Sequence, residues 1–398
     1  MKYFSTWAIL AGMLIASFAV ATPAEAVKLR TLYSFTGSTD GSEPYASVIR
    51  DSAGNLYGTT QGGGVYGRGV VFRVTPEGAE SVLHSFNGTR DGGSPRAPLN
   101  FDNAGNVYGT APSGGDKQCQ CGVVFKVTPE EDYNVVRRFQ STYRGSPLGA
   151  PVIDAVGNIY GASGSGVYKI SPDGRTVTRL HSFSSLANNG SDPQYGVVMD
   201  SAGNLFGSTI YGGSYGLGII YKIGTDRTFT ILHQIGAGPD RATPNSNLFY
   251  ANLPMVAENG DLYGSMEFSG PHTGACNGNG GCGTVYRLTQ SGNEKILYTF
   301  TNPQKTGNFP FGQVVRDNAG NLYGAANGGP NYCNFGIASP CGVIFKLTPA
   351  GVESILYAFH GPDGAEPISL VIDKAGHLYG ATFFGGTRGF GSVFEIDP

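Results

Sequence analysis

The sequence predicts an all-β fold: a seven-bladed β-propeller of four-stranded blades, the last blade closed by the N-terminal strand. Three observations lead there. Glycine supplies 63 of the 398 residues and proline another 23, a density of chain reversals that leaves little room for long helices. One unit recurs seven times along the chain. The element that ends each unit stands alone once at the N-terminus and is missing from the last unit.

Composition narrows the class further. Charged residues are only 14%, yet apolar content is 40% with 23 Phe and 22 Tyr, enough for a buried core and too much for a disordered tail. Glycine does not fall at every third position, which excludes collagen. A net charge of −3 argues against nucleic acid or an anionic membrane surface as partner.

Residues 1–26 read as a secretory signal peptide. Lys2 gives a positive start, Trp7 to Val20 is apolar, and small-x-small sites follow at Ala19-Val20-Ala21 and Ala24-Glu25-Ala26. No later run approaches 18 apolar residues, so no membrane span is expected. No cysteine stands near the cleavage region, so a lipid-modified N-terminus is not expected either. The mature chain is expected to be exported, to the periplasm or beyond.

The repeat supplies the strands in order. Asp51-Ser52-Ala53-Gly54-Asn55-Leu56-Tyr57-Gly58 returns at 102–109, 154–161, 200–207, 317–324 and 373–380, and shortened at 258–264. A second element of the type Gly-Val-Val-Phe-Lys-Val-Thr-Pro begins at Gly69, Gly122, Gly166, Gly218, Gly283, Gly342 and Gly391. A third, Val82-Leu83-His84-Ser85-Phe86, has copies ending at Phe139, Phe183, Ile235, Phe300 and Phe359, and at Phe35 ahead of the first unit. A short apolar segment precedes each Asp, so each unit carries strands A (before Asp), B (Leu-Tyr-Gly), C (Val-Val-Phe) and D (Leu-His-Ser-Phe). Four-stranded units repeated radially are propeller blades. The displaced element at 27–35 would close the ring as the outer strand of the last blade. The expected blades are about 45–86, 97–139, 149–183, 195–235, 252–300, 311–359 and 367–398 plus 27–35.

Local chemistry agrees. Asp-x-Ala-Gly-Asn between A and B supplies the side-chain acceptor and left-handed glycine of a tight turn, and Thr75-Pro76-Glu77-Gly78 marks the C–D turn. The B-strand aromatics Tyr57, Tyr108, Tyr160, Phe206, Tyr263, Tyr323 and Tyr379 occur in every blade and are expected to pack between blades. His84, His181 and His233 share a D-strand position with Tyr33, Tyr298 and Tyr357, so they are read as structural rather than metal-binding.

These units resemble the GloVer tandem repeat of exported bacterial proteins. The resemblance rests on Gly320-Asn321-Leu322-Tyr323-Gly324, Gly328-Gly329 and Gly342-Val343-Ile344-Phe345-Lys346-Leu347-Thr348-Pro349, and covers essentially all of residues 27–398. It implies an exported repeat protein, expected to be a propeller, with no established activity. Members described as having a choice of anchor carry a tail; this chain ends at Pro398 within a strand pattern, so anchoring is not expected.

In a blade, the A–B and C–D turns share one face and the B–C and D–A connections share the other. The first pair is short and uniform; the second is long and variable, which makes that face the expected binding surface. All six cysteines lie there, as Cys119/Cys121, Cys276/Cys282 and Cys333/Cys341, each pair within one B–C loop. Proximity and an oxidising compartment favour three local disulfides over zinc. The candidate ligand-binding residues are the loop aromatics and cations Tyr66, Arg68, Tyr211, Tyr215, Phe268, Tyr332, Phe335, Phe383, Phe384 and Arg388, with Phe390 and His272 beside them. The competing reading is that these rings fold down over the blade tops. Asp40, Asp91 and Asp363, each in Asp-Gly-x-x-Pro, and Asp192 are expected to form turns rather than hold calcium. Gly62-Gly63-Gly64 lacks the lysine and helix of a phosphate loop.

No cofactor, metal or nucleophilic triad is expected. The expected role is a monomeric, non-catalytic binding or scaffold module for a protein or polysaccharide. The alternative is a lyase or glycoside hydrolase at the channel mouth. An enzyme should break the repeat symmetry at a few buried polar positions that converge there, above all as a carboxylate pair.

Overall fold

Each repeat supplies four short apolar segments separated by turn residues, and each folds as a four-stranded antiparallel sheet. The structure, a computed structural model, describes residues 27–141, 145–184, 188–236, 252–270, 276, 281–334 and 338–398. The expected leader, residues 1–26, lies outside them.

Blade 1 is Ile49–Arg50, Leu56–Thr60, Val70–Val74 and Glu80–Ser85, strands A to D in order. Blades 2 to 5 repeat it, with A strands at Asn100–Phe101, Val152–Ile153, Val198–Met199 and Met255–Val256. Blades 6 and 7 depart from this economy. Their A strands run Asn308–Arg316 and Ala365–Ile372, extending up to the loop face, where blades 1, 2 and 4 keep only a single bridge such as Ser42 to Gly62. Blade 6 adds a hairpin, Tyr332–Asn334 with Ala338–Pro340, inside its B–C loop. The one helix among the described residues is a single turn, Pro303–Thr306.

The turn motif explains its own residues. Asp51 accepts hydrogen bonds from the Asn55 backbone and side-chain amides, both at 2.8 Å, and from the Tyr57 hydroxyl at 3.1 Å. Gly54 takes φ +92° between them, a conformation that favours glycine. Asp154 and Asp317 repeat all three bonds.

The Gly of Leu-Tyr-Gly has a different cause. Gly58 pairs across the sheet with Phe72, and the tip of the Phe72 ring lies over the glycine, so a β-carbon there would overlap it. The same holds for Gly324 with Phe345 and Gly380 with Phe394. The ring takes the space that a side chain would fill, and so turns a poor strand former into a packing surface.

Seven apolar clusters each join one blade to the next. In most, the D-strand Phe of one blade meets the C-strand ring of its neighbour edge to face: Phe86 with Phe125, Phe139 with Tyr168, Phe300 with Phe345, Phe359 with Phe394. Each such pair adds roughly 0.5–1.5 kcal/mol to the area it buries. The B-strand aromatics belong to these clusters, so they are packing residues. His84 and His181 stack on Tyr133 and Phe229 of the following blade.

The N-terminal strand Lys28–Ser34 pairs antiparallel with Ser392–Asp397, Leu29 opposite Ile396, and completes blade 7. Arg30 binds the Glu395 carboxylate and the Pro76 carbonyl of blade 1. The ring is closed by the displaced element.

Candidate functional site

On the loop face, the D–A connections are hung by two repeated backbone bonds. The D-strand Phe donates to the residue that opens strand C, as Phe86 to Gly69 and Phe359 to Gly342. The residue before the loop proline then donates to the preceding B–C loop: Glu43 to Phe390, Ser94 to Arg68, Phe309 to Cys282, Glu366 to Cys341. These four non-glycine residues all adopt φ between +50° and +56°. Such a conformation persists only when its surroundings hold it. Because it recurs, it is scaffold; only the side chain it presents differs from blade to blade.

The A strands surround a narrow channel of about 300 Å³, walled mainly by apolar side chains such as Val48, Leu99, Val152, Val197 and Leu370. At its loop-face mouth lies a second cavity of about 260 Å³, built from blades 5, 6, 7 and 1. Tyr45, Phe311 and Phe383 give it three aromatic walls, and Glu267 and Glu366 give it two carboxyls. Tyr45 meets Phe383 edge to face at 5.4 Å. Arg96, on the channel side, lies 5.6 Å from the Tyr45 ring centre. Tyr45, Phe311 and Ile368 wall both spaces, so the cavity continues into the channel.

Neither Glu267 nor Glu366 has a hydrogen-bond or ion-pair partner among the described side chains. Burial pushes Glu267 up to about 7 and also raises Glu366. In both cases burial is the whole cause, with no charge acting on either.

A larger groove, about 440 Å³, crosses the opposite face between blades 1 and 2. Its charged groups are already engaged: Arg73 pairs with Glu131 at 2.8 Å, and Asp51 and Asp102 cap their own turns. The mouth cavity is smaller, but its polar groups are free.

The sequence candidates are dispersed. Tyr66, Tyr211, Tyr215 and Tyr332 are exposed on the loop tips of blades 1, 4 and 6, and no described ring contact joins any two of them. Arg68 and Arg388 are exposed, the Arg68 stem lying along Gly88. Phe268 is half-buried against Phe309, ring centres 4.8 Å apart, and Phe390 leans on Gly37. Phe383 and Phe384 touch at 4.4 Å, but only Phe383 reaches the mouth. Phe335 and His272 lie outside the described residues. Tyr45, Phe311, Glu267 and Glu366 escaped the sequence reading. A signal existed for one: Glu267 stands where other units carry Gln61, Pro112, Gly164, Ile210, Asn327 and Phe383.

The cysteines pair as Cys119–Cys121, Cys276–Cys282 and Cys333–Cys341. The last two hold the carbonyls on which Phe309 and Glu366 hang. The Asp-Gly motifs are turns that also brace strand D. Asp40 accepts from the Thr36 backbone and the Tyr33 hydroxyl, Asp91 from the Asn87 backbone, and Asp363 from the His360 backbone and the Tyr357 hydroxyl. Asp91 also bonds His84 Nε2 at 3.1 Å.

A solved structure shares this architecture. The extracellular domain of a hybrid two component system from B. thetaiotaomicron superposes with a TM-score of 0.56 at 14% identity, over 93% of this chain and 41% of that one. The chain thus spans about two fifths of that protein's length. A gluconolactonase from Xanthomonas campestris gives a TM-score of 0.45 at 10% identity, over 93% of this chain and 89% of that one. Identities this low show the fold alone. No curated protein matches the sequence. The repeat itself identifies the family: the profile of the Gloeobacter/Verrucomicrobia repeat matches residues 18–167 and 162–338, most of the propeller. Seven blades built on one ring-covered glycine, most of them with the Asp-capped turn, are thus the work of a known repeat, and the chain belongs to the Gloeobacter/Verrucomicrobia repeat family.

Proposed function

We propose that the protein is an exported, monomeric, non-catalytic binding module that engages a polysaccharide through the channel mouth on its loop face. The observation that carries this is the mouth cavity, where Tyr45, Phe311 and Phe383 stand beside two unengaged carboxyls. Flat rings beside hydrogen-bond acceptors suit a sugar, whose faces are apolar and whose edges donate. Tyr66, Tyr211, Tyr215 and Tyr332 offer further exposed rings to a chain-like ligand. Three disulfides fit an oxidising compartment and, with the leader pattern of residues 1–26, support export.

The carboxyl pair also favours a second reading, glycoside hydrolysis. That chemistry needs one carboxyl kept protonated and another kept ionised. Here burial moves both in the same direction, which supports holding a ligand over dividing acid and base roles.

A glycan array on residues 27–398 tests the proposal. Tyr45→Ala and Phe383→Ala should abolish whatever binding is found, while Tyr66→Ala and Tyr332→Ala should reduce it only modestly. The reverse order would move the site to the loop tips, and turnover of a bound glycan would establish the second reading.

A further inference from the structure

The walls of the mouth cavity are unusual in charge. Tyr45, Glu267, Phe311, Asn327, Glu366, Pro367, Ile368 and Phe383 include two carboxyls and no Lys, Arg or His. Carboxylates removed from water are costly unless something pairs with them. Asp261 pairs with Arg287, Glu395 with Arg30, and Asp40 accepts several hydrogen bonds, whereas Glu80 of blade 1 is like the mouth carboxyls in having no partner among the described side chains. At the mouth two such groups, each half-buried, line one cavity. The backbone of Glu366 is fixed there by its bond to Cys341, beside a disulfide.

A neutral sugar would donate hydroxyls to these groups and leave any charge on them uncompensated. An acidic sugar would be repelled. A cation beside either carboxylate would compensate it, and the three aromatic walls would add to its attraction. Tyr45 already has the Arg96 guanidinium 5.6 Å from its ring centre on the channel side, so a cation on this ring is compatible with the packing. Arg96 walls the channel and not the mouth cavity, so the two carboxyls remain unpaired.

We propose that the mouth cavity binds a sugar unit bearing a free, protonated amino group, with the carboxyls of Glu267 and Glu366 attracting the ammonium and Tyr45, Phe311 and Phe383 walling the ring. This rests on the polysaccharide-binding reading above and adds the charge of the ligand to it. Ammonium donates to acceptors only, which is what the carboxyls offer. N-acetylation would remove that charge and add a carbonyl, which needs donors where the cavity mainly offers acceptors; its side-chain donors are the Asn327 amide and the Tyr45 hydroxyl.

The test is calorimetric titration of the disulfide-intact protein, residues 27–398, with three probes: glucosamine oligosaccharides, their N-acetylated counterparts and cello-oligosaccharides. It should be run at about pH 6.5, below the ordinary amine range. The expected result is binding of the free-amine series at least about tenfold tighter than either neutral series, weakening as salt is raised. Glu267→Gln and Glu366→Gln should each erase most of that preference. Both remove a buried charge, and an unchanged melting temperature shows that the fold is kept. Equal affinity for all three probes would overturn the amine inference and leave polysaccharide binding standing. Binding of none would overturn both. A free-amine preference that survives both Gln substitutions would place the cation elsewhere and overturn the assignment to this cavity.

Discussion

Phe35, the last residue of the displaced N-terminal element, packs edge to face on Phe72 of blade 1, ring centres 5.0 Å apart. It is fully buried, and its amide donates to the Gly391 carbonyl of blade 7. One residue therefore belongs to the last blade by hydrogen bonding and to the first by packing. Phe35→Ala should cost about 3–5 kcal/mol, the range for emptying a buried Phe site. Deleting 27–35 should cost more, because strand Ser392–Asp397 then loses one of its two partners and becomes an edge. Urea unfolding of both variants checks this, and a Phe35→Ala loss no larger than that of a surface substitution would refute closure by this strand.

Gly324 and Phe345 give a cleaner test of why the repeat keeps its glycine. Gly324 lacks the positive φ of the turn glycines, so conformational strain is not the issue; its β-carbon would collide with the Phe345 ring. Gly324→Ala should therefore destabilise by about 1–3 kcal/mol through overpacking. Phe345→Leu should relieve part of that clash, so the two losses should be less than additive in a double-mutant cycle. Strict additivity would show that the glycine serves some other purpose.

These two pairs also explain what could be read in advance. The blade count followed from residues whose identity is dictated by a recurring local contact: the ring-covered Gly in all seven units, and the turn Asp and the D-strand Phe in six each. The closure followed from Phe35 being out of place. The mouth followed no such rule. Tyr45 and Phe311 come one residue after a loop proline, Glu366 one residue before, and Glu267 and Phe383 three after the B-strand glycine. They are distant in sequence and come from three different repeat positions in four blades, and only the ring brings them together. Loop-tip rings such as Tyr66 and Tyr332 drew attention because they are aromatic in glycine-rich loops, yet the blades carry them apart. Glu267 was legible in principle, as an acid where no other unit has one.

Stability should be greatest in mildly acidic solution. Burial raises Glu80 to about 7, with help from the Asp40 charge, and raises Glu353 to about 7 against a small opposing bond from Tyr298. Carboxyls so raised are favoured protonated in the fold, so their contribution is full below about 4.5 and is lost as pH climbs through about 7. Asp40, Asp154 and Asp317 act oppositely. Burial alone would raise them, but the hydrogen bonds they accept outweigh it and hold them below 3.8, so their contribution is lost as pH falls through the acid range. The melting temperature should peak near pH 4–5 and decline towards pH 8. The Glu80→Gln/Glu353→Gln double variant should flatten that decline. A melting temperature that climbs from pH 5 to 8 in the parent would contradict the sign.

The three disulfides should not be reduced together. Cys276, Cys282, Cys333 and Cys341 are at most 5% exposed, whereas Cys119 and Cys121 are half-buried in a loop beside the exposed Lys117 and Gln118. Thiol exchange requires access to sulfur, so a mild reductant followed by alkylation and mass spectrometry should label Cys119 and Cys121 first. Loss of that bridge should leave the mouth intact, since no wall of the cavity hangs from its loop. Cys333 and Cys341 differ in both respects. Removing their bridge as Cys333→Ser/Cys341→Ser frees a short loop, at an entropic cost of about 2–3 kcal/mol, and loosens the Cys341 carbonyl that fixes Glu366. Ligand affinity should then fall in this variant and not in Cys119→Ser/Cys121→Ser. Equal effects of the two variants on binding would mean that the disulfides stabilise the propeller without shaping its mouth.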